Sequence, residues 1–194
     1  MGERSRQVPA PCWTIGHSTL SAEAFVGRLA EHGIEQLADV RRYPASRRRP
    51  HFNREILATF LEARGVAYRW FEGLGGRRHG EAPDRSPNRG LESSGFRQYA
   101  DYMGSDAFEK ALGALVGWLE EGHTVLMCAE ALWWKCHRRF LADLLVTRGG
   151  SVTHILGDGG AAPHTLWDLA VRTPTGLVYP PAQSELDLGA PSEG

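Results

Sequence analysis

Four short blocks of this chain carry side chains suited to chemistry. Cys128-Ala129-Glu130 and Cys136-His137-Arg138 stand late in the sequence, with seven residues between the two cysteines. Gly16-His17-Ser18-Thr19 stands near the start, and Asp39-Val40-Arg41-Arg42 follows, leading to Ser46 and the triplet 47–49 of arginines. A thiol beside a histidine or an arginine ionises more readily, and the thiolate is the nucleophile. Cys128 is therefore a candidate nucleophile if His17, His137 or an arginine favours its ionised form. Cys136 opens an amphipathic run, where unpaired N–H groups and the helix dipole lower a thiol pKa and attract anions. Glu130 is placed to act as general base or to hold an arginine, and His17 to carry protons. Arg41, Arg42 and Arg138 offer the planar fork that matches phosphate or carboxylate. Ser18, Asp39, Ser46 and His137 complete the expected substrate-binding set, Asp39 as the partner that orients Arg41 or Arg42. Each residue also has a plainer reading. A free cysteine is usually a small buried apolar side chain, a glutamate beside arginines a structural ion pair, and a lone histidine a partner of the backbone.

Other chemistries fit the spacing less well. Cys128, Cys136 and His137 are soft metal ligands to which His17 adds a fourth, yet the C-x₂₋₄-C spacing of structural zinc is missing. No C-x-x-C redox pair occurs. Gly73-Leu74-Gly75-Gly76 follows a strand but lacks the Lys-Ser/Thr of a phosphate-binding loop. The loop of a protein tyrosine phosphatase needs Arg six positions after its Cys, where Cys128 is followed by Trp134. His154 and His164 flank a glycine-rich turn that would bring both imidazoles to one rim. Tyr68, Trp70, Phe71, Tyr99 and Tyr102 flank the arginine-rich loops, either stacking a base or packing the core. Of the adjacent Trp133 and Trp134, one is expected to be exposed.

The elements that must position these groups are legible in the apolar pattern. Strands are expected at 12–16, 34–40, 66–70, 123–127 and 151–156. Helices are expected at 22–32 behind Ser21, at 54–64 behind Asn53, at 106–121 behind Ser105, and at about 136–148. Gly33, Gly65, Gly122 and Gly149-Gly150 close them. Strands alternating with helices predict βαβ units with right-handed crossovers. The fold class is α/β: a single domain with a mostly parallel Rossmann-like sheet and helices on both faces. Ligands of such sheets bind beyond the carboxyl ends of the strands. All four reactive blocks fall there.

The chain has 194 residues, 42% apolar and 23% charged, which suits one domain with its own core. The domain is expected at 11–179, between a flexible N-terminus at 1–10 and a flexible tail at 180–194. No run is long enough for a membrane span, no secretion signal is evident, and three cysteines exclude a disulfide scaffold. A cytoplasmic location is expected. The net charge of −1 hides an asymmetry: residues 41–97 hold thirteen Arg against six acidic residues, a net of +7. That points to an anionic partner, small molecule or nucleic acid.

Taken together, TIGHST, DVRRYPASRRRPHFN, LGGRR, FRQYADYM, LMCAE, CHRRFLADLL and HIL resemble the family of domains of unknown function numbered 488, over about residues 14–164. The resemblance implies the α/β fold and marks Gly16, His17, Ser18, Asp39, Arg41, Pro44, Ser46, Cys128, Glu130, Cys136, His137 and Arg138 as family-pattern positions. It names no reaction. Leu132-Trp133-Trp134-Lys135 departs from the more polar, acidic sequence typical there.

From the residues, the expectation is an enzyme of hydrolysis or group transfer acting on a phosphate-bearing substrate such as a nucleotide or nucleic acid. No cofactor is expected. Cys128, Glu130, His17 and Cys136 are its candidate catalytic residues. The alternatives are a non-enzymatic nucleic-acid binder using residues 41–97, and a metal-binding protein using Cys128, Cys136 and His137.

Overall fold

Apolar runs buried on both sides dictate a parallel sheet at the centre of the chain. A computed structural model describes residues 10–78, 86–174 and 176–182. Its main sheet has the order β3-β2-β4-β1-β5-β6, built from β1 (Cys12–Gly16), β2 (Gln36–Asp39), β3 (Ala67–Trp70), β4 (Thr124–Cys128), β5 (Val152–Ile155) and β6 (Ala161–Pro163). The first five strands are parallel, and β6 runs antiparallel to β5. A small hairpin, β7 (Val171–Thr173) and β8 (Gly176–Val178), stands apart. The architecture is the expected single α/β domain.

Alternation along the strands sorts side chains between two cores. Ile15, Leu37, Val125 and Met127 face helices α1 (Ala22–Glu31) and α2 (Arg54–Glu62) through Phe25, Leu29, Leu57 and Leu61. Cys12, Ala38 and Leu126 face the other way. They meet α3 (Ser94–Tyr102), α4 (Asp106–Leu119) and α5 (Arg138–Thr147) through Tyr99, Leu112, Leu115, Phe140 and Leu141. The chain thus leaves β1 toward one face and the adjacent β4 toward the other. The carboxyl ends of β1 and β4 form the switch point at which such sheets bind ligands, and Gly16 pairs with Cys128 there.

Local signals act as expected at most boundaries. The Ser21 and Ser105 hydroxyls accept the amides of Ala24 and Phe108, and Gly33 and Gly65 take positive φ at the ends of α1 and α2. Asn53 precedes α2, but its side chain accepts the Ser46 amide at 2.6 Å instead of capping the helix. Three parts of the fold have no counterpart in the expected elements: α3, the antiparallel β6, and the β7–β8 hairpin. The ends expected to be loose, 1–10 and 180–194, lie outside the described residues except for Ala10 and 180–182. Among the described residues no helix is long and apolar enough to cross a membrane.

Candidate functional site

Strand β4 ends on Cys128 and α5 begins two residues after Cys136, so the intervening loop folds back and brings both thiols beside His137. The imidazole Nδ1 lies 3.5 Å from the Cys136 sulfur and 3.8 Å from the Cys128 sulfur. Its Nε2–H donates to the Val40 carbonyl at 2.8 Å, which turns the Nδ1 lone pair toward the thiols. The three potential metal-ligand atoms all lie within 4.8 Å of one another. The two thiols act on one another, and ionisation is favoured at Cys136 over Cys128. The neighbouring Cys128 side chain, with Arg138 assisting, draws the Cys136 pKa well below the ordinary thiol value against burial. The Cys136 side chain and then burial push the Cys128 thiol up.

Val40 joins this cluster to a second one. The Asp39 carboxylate grips the buried Arg41 side chain, accepting from Nε at 2.9 Å and from Nη2 at 2.5 Å. It also accepts the Tyr68 hydroxyl at 2.7 Å. Burial works against the Arg41 charge, and the Asp39 bonds outweigh it. The remaining guanidinium nitrogen faces His17 Nε2 at 3.4 Å, while His17 Nδ1 meets the Ser18 carbonyl at 3.2 Å. Burial, then the Arg41 charge, push the His17 pKa down to about 4. His17 is therefore neutral at pH 7, stacks 4.0 Å from Phe52, and braces Arg41. The Arg41 charge in turn acts on Cys128.

The turn after β1 is fixed by β4. The amides of His17 and Ser18 donate to the carbonyls of Cys128 and Ala129 at 2.9 and 3.0 Å. Ser18 sits at φ 46°, a left-handed conformation unusual for a residue with a Cβ. Arg138 is only 1% exposed. Its guanidinium donates to the Glu130 carbonyl, to that of Ala131 at 3.4 Å and to Thr14 Oγ1 at 3.4 Å. It therefore clamps the loop from inside. The Glu130 backbone holds Arg138, and its N–H serves the Cys128 sulfur, leaving the carboxylate exposed at the mouth.

His154 and His164 do come together, but in the interior. Thr14 is paired with His154 across the sheet, two residues short of the rim. One set of proton positions satisfies the whole chain if Asp143 is ionised and both imidazoles are neutral. Arg138 donates to Thr14, Thr14 to His154 at 2.7 Å, His154 to His164 at 3.0 Å, and His164 to Asp143 at 2.9 Å. Trp133 stacks on His154 with centroids 4.0 Å apart, and its neighbour Trp134 is 42% exposed.

Three of the aromatic residues that flank the arginine-rich loops act through their hydroxyls. Helix α3 supplies Tyr99 and Tyr102, whose hydroxyls donate to the carbonyls of Leu74 and Gly73 at 2.9 and 2.8 Å. These bonds press the loop 73–76 onto the site, and Tyr99 meets the His137 ring edge-on at 5.2 Å. The phenols thus turn out to be loop anchors. Tyr68, expected from the sequence to stack a base or pack the core, instead donates its hydroxyl to Asp39. Two expected ligand residues stand outside the cluster. Ser46 shapes its own loop, its hydroxyl accepting the Arg49 amide at 3.0 Å, and Arg42 pairs with Glu72 at 2.8 Å. A surface concavity on the outer face of α2, lined by Ile56, Thr59, Phe60 and Ala63, carries none of the reactive groups.

A family model described as Domain of unknown function DUF488 matches residues 21–145. No curated protein and no solved structure matches the chain.

Proposed function

Starting from the fact that the chain belongs to the DUF488 family, whose description names no reaction, we propose that it is an enzyme of hydrolysis or group transfer on a phosphate-bearing substrate, such as a nucleotide or nucleic acid. One observation carries this reading: an arginine held charged by a buried carboxylate stands beside a Cys-Cys-His cluster at the switch point of a parallel sheet. Arg41 is the anion contact, oriented by Asp39 and Tyr68 and braced by His17. Cys136, the thiol whose ionised form is favoured, and Cys128, the more accessible of the two, form the reactive centre with His137 beside them. Glu130, exposed at the mouth, takes the proton of the incoming hydroxyl or water. The arginine-rich segment 41–97 draws polyanions toward this rim, and three free thiols suit a reducing cytoplasm.

The test is a panel of phosphomonoesters, nucleotides and short oligonucleotides incubated with the wild-type protein, R41K and C128S. R41K keeps the charge and loses the fork. It is expected to lower kcat/KM by about 10–100-fold, the equivalent of ~1.4–2.7 kcal/mol, and C128S to abolish turnover. Turnover that both variants retain overturns the assignment. Binding of oligonucleotides without turnover, weakening steeply with salt, supports the non-enzymatic alternative.

A further inference from the structure

We propose that Cys128, Cys136 and His137 bind a single Zn²⁺ ion, with a fourth coordination position open on the side of Cys128. This deepens the reading above by naming the ion its reactive centre carries, and rests on that reading only for the use made of the fourth position.

Two of the three ligand-to-ligand edges match those of a tetrahedral zinc site. With Zn–S near 2.3 Å and Zn–N near 2.0–2.1 Å, a tetrahedral site sets sulfur and nitrogen ligands about 3.6 Å apart. The His137 Nδ1 lies 3.5 and 3.8 Å from the two sulfurs, and the three atoms fit within 4.8 Å. The missing C-x₂₋₄-C spacing is no obstacle, because the ligands come from a strand end and a helix start that the sheet brings together. Two thiolates and an imidazole form a soft donor set that suits zinc.

The surroundings are those of a ligand set already oriented. A metal-bound histidine characteristically donates its other N–H to a carbonyl or carboxylate; His137 donates to Val40 at 2.8 Å. Its ring is wedged between Gly76 and the edge of Tyr99, so little ordering remains to be done on binding. The Cys128 sulfur has the Glu130 backbone N–H beside it. Two thiolates cancel the charge of the dication, so Arg41 and Arg138 face a neutral centre instead of a bare cation. Cys136 and His137 are buried while Cys128 is half-buried beside the exposed Ala129 and Glu130. The free corner therefore lies on the Cys128 side, toward the exposed Ala129 and Glu130. Three protein ligands and one open position are the pattern of a catalytic zinc, where water or a substrate oxygen completes the shell.

The experiment uses tag-free full-length protein, reduced, stripped with a chelator and titrated with Zn²⁺ and, separately, Co²⁺. The expected result is one equivalent of zinc per chain. With cobalt, near-ultraviolet thiolate-to-metal charge transfer and the intense visible bands of a tetrahedral ion are expected, both erased by added zinc. C128S and C136S each weaken zinc by at least about tenfold, whereas C12A, at the opposite end of β1 from the site, leaves the stoichiometry intact. A wild-type protein that takes up no stoichiometric zinc, or gives only the weak spectrum of octahedral cobalt, overturns the site without recourse to any variant. The two proposals fail separately. Stoichiometric zinc in a protein that turns over no phosphate ester keeps the site and discards the function. Turnover by zinc-free protein, abolished by iodoacetamide, keeps the function with Cys128 as nucleophile and discards the zinc.

Discussion

A Cβ on Gly76 would stand 2.4 Å from Nδ1 of His137 and 2.5 Å from its Cγ. No side chain other than hydrogen fits there, because the tyrosines of α3 hold the loop down and Val40 holds the ring from the far side. G76A is expected to cost about 1–3 kcal/mol through overpacking and to swing the imidazole off the two sulfurs. Gly117, inside α4, has open space where a Cβ would go. G117A should therefore stabilise by about 0.4–1 kcal/mol. Urea unfolding of the two variants checks both signs, and equal effects would mean that the loop yields freely.

The Asp39–Arg41 pair predicts an asymmetry between its neighbours. Asp39 is fully buried, and removing its charge strands a buried guanidinium; D39N is expected to destabilise by about 3–5 kcal/mol. Y68F removes one donor from a carboxylate that keeps Arg41, and should cost about 1 kcal/mol. Chemical denaturation of both variants decides it. A mild D39N would show that Arg41 finds water or another partner, and that its orientation does not depend on the carboxylate.

The five parallel strands were readable because each is a short apolar run closed by turn residues, and because serine and glycine mark the helix ends chemically. The reactive rim followed from one rule about where such strands end. Helix α3 was hidden, since SGFRQYADY buries only Tyr99 and Ala100 and reads as polar. The cysteine cluster was legible as a set of residues but not as a geometry. Ligand spacing along a chain reports only local loops, and here a strand end and a helix start are joined by tertiary folding. His154 and His164 were rightly paired in sequence. Their depth was not visible, because it is set by the register of β5 against β1, which places His154 opposite Thr14.

That depth predicts a pH dependence. Thr14 of β1, Trp133, His164 beside β6, and Arg138 and Asp143 of α5 surround the chain of bonds through His154. Burial first, then the neighbouring His164 and the Arg138 charge, push the His154 pKa down to about 3. Unfolded, it titrates near 6.5. Between those values the unfolded chain binds a proton that the folded one refuses, so stability rises with pH across this window. Its contribution is complete above about pH 6.5 and is lost as pH falls toward 3. Stability measured by urea at about pH 7 and about pH 5 should differ, and H154Q should flatten the slope by up to about 1.4 kcal/mol per pH unit. A slope unchanged in H154Q would assign the titration to other groups.

Gly16 and Arg138 make the last prediction, because the loop carrying Cys128 hangs between them. A Cβ on Gly16 would lie 2.0 Å from the Glu130 carbonyl oxygen and 2.9 Å from an Arg138 nitrogen. The first obstacle is backbone and cannot rotate away. G16A should therefore cost at least about 3 kcal/mol, at the high end of overpacking. R138K keeps the charge but can no longer reach the two loop carbonyls and Thr14 together. It should leave the fold standing and free the loop. The readout is hydrogen exchange at the His17 and Ser18 amides, which donate to the Cys128 and Ala129 carbonyls across the switch point. Each ~1.4 kcal/mol lost locally speeds their exchange about tenfold. Acceleration confined to these two amides would locate the clamp in Arg138. Acceleration spread over β1 and β5 alike would instead make Arg138 a support of the sheet, acting through Thr14 and the histidines behind it.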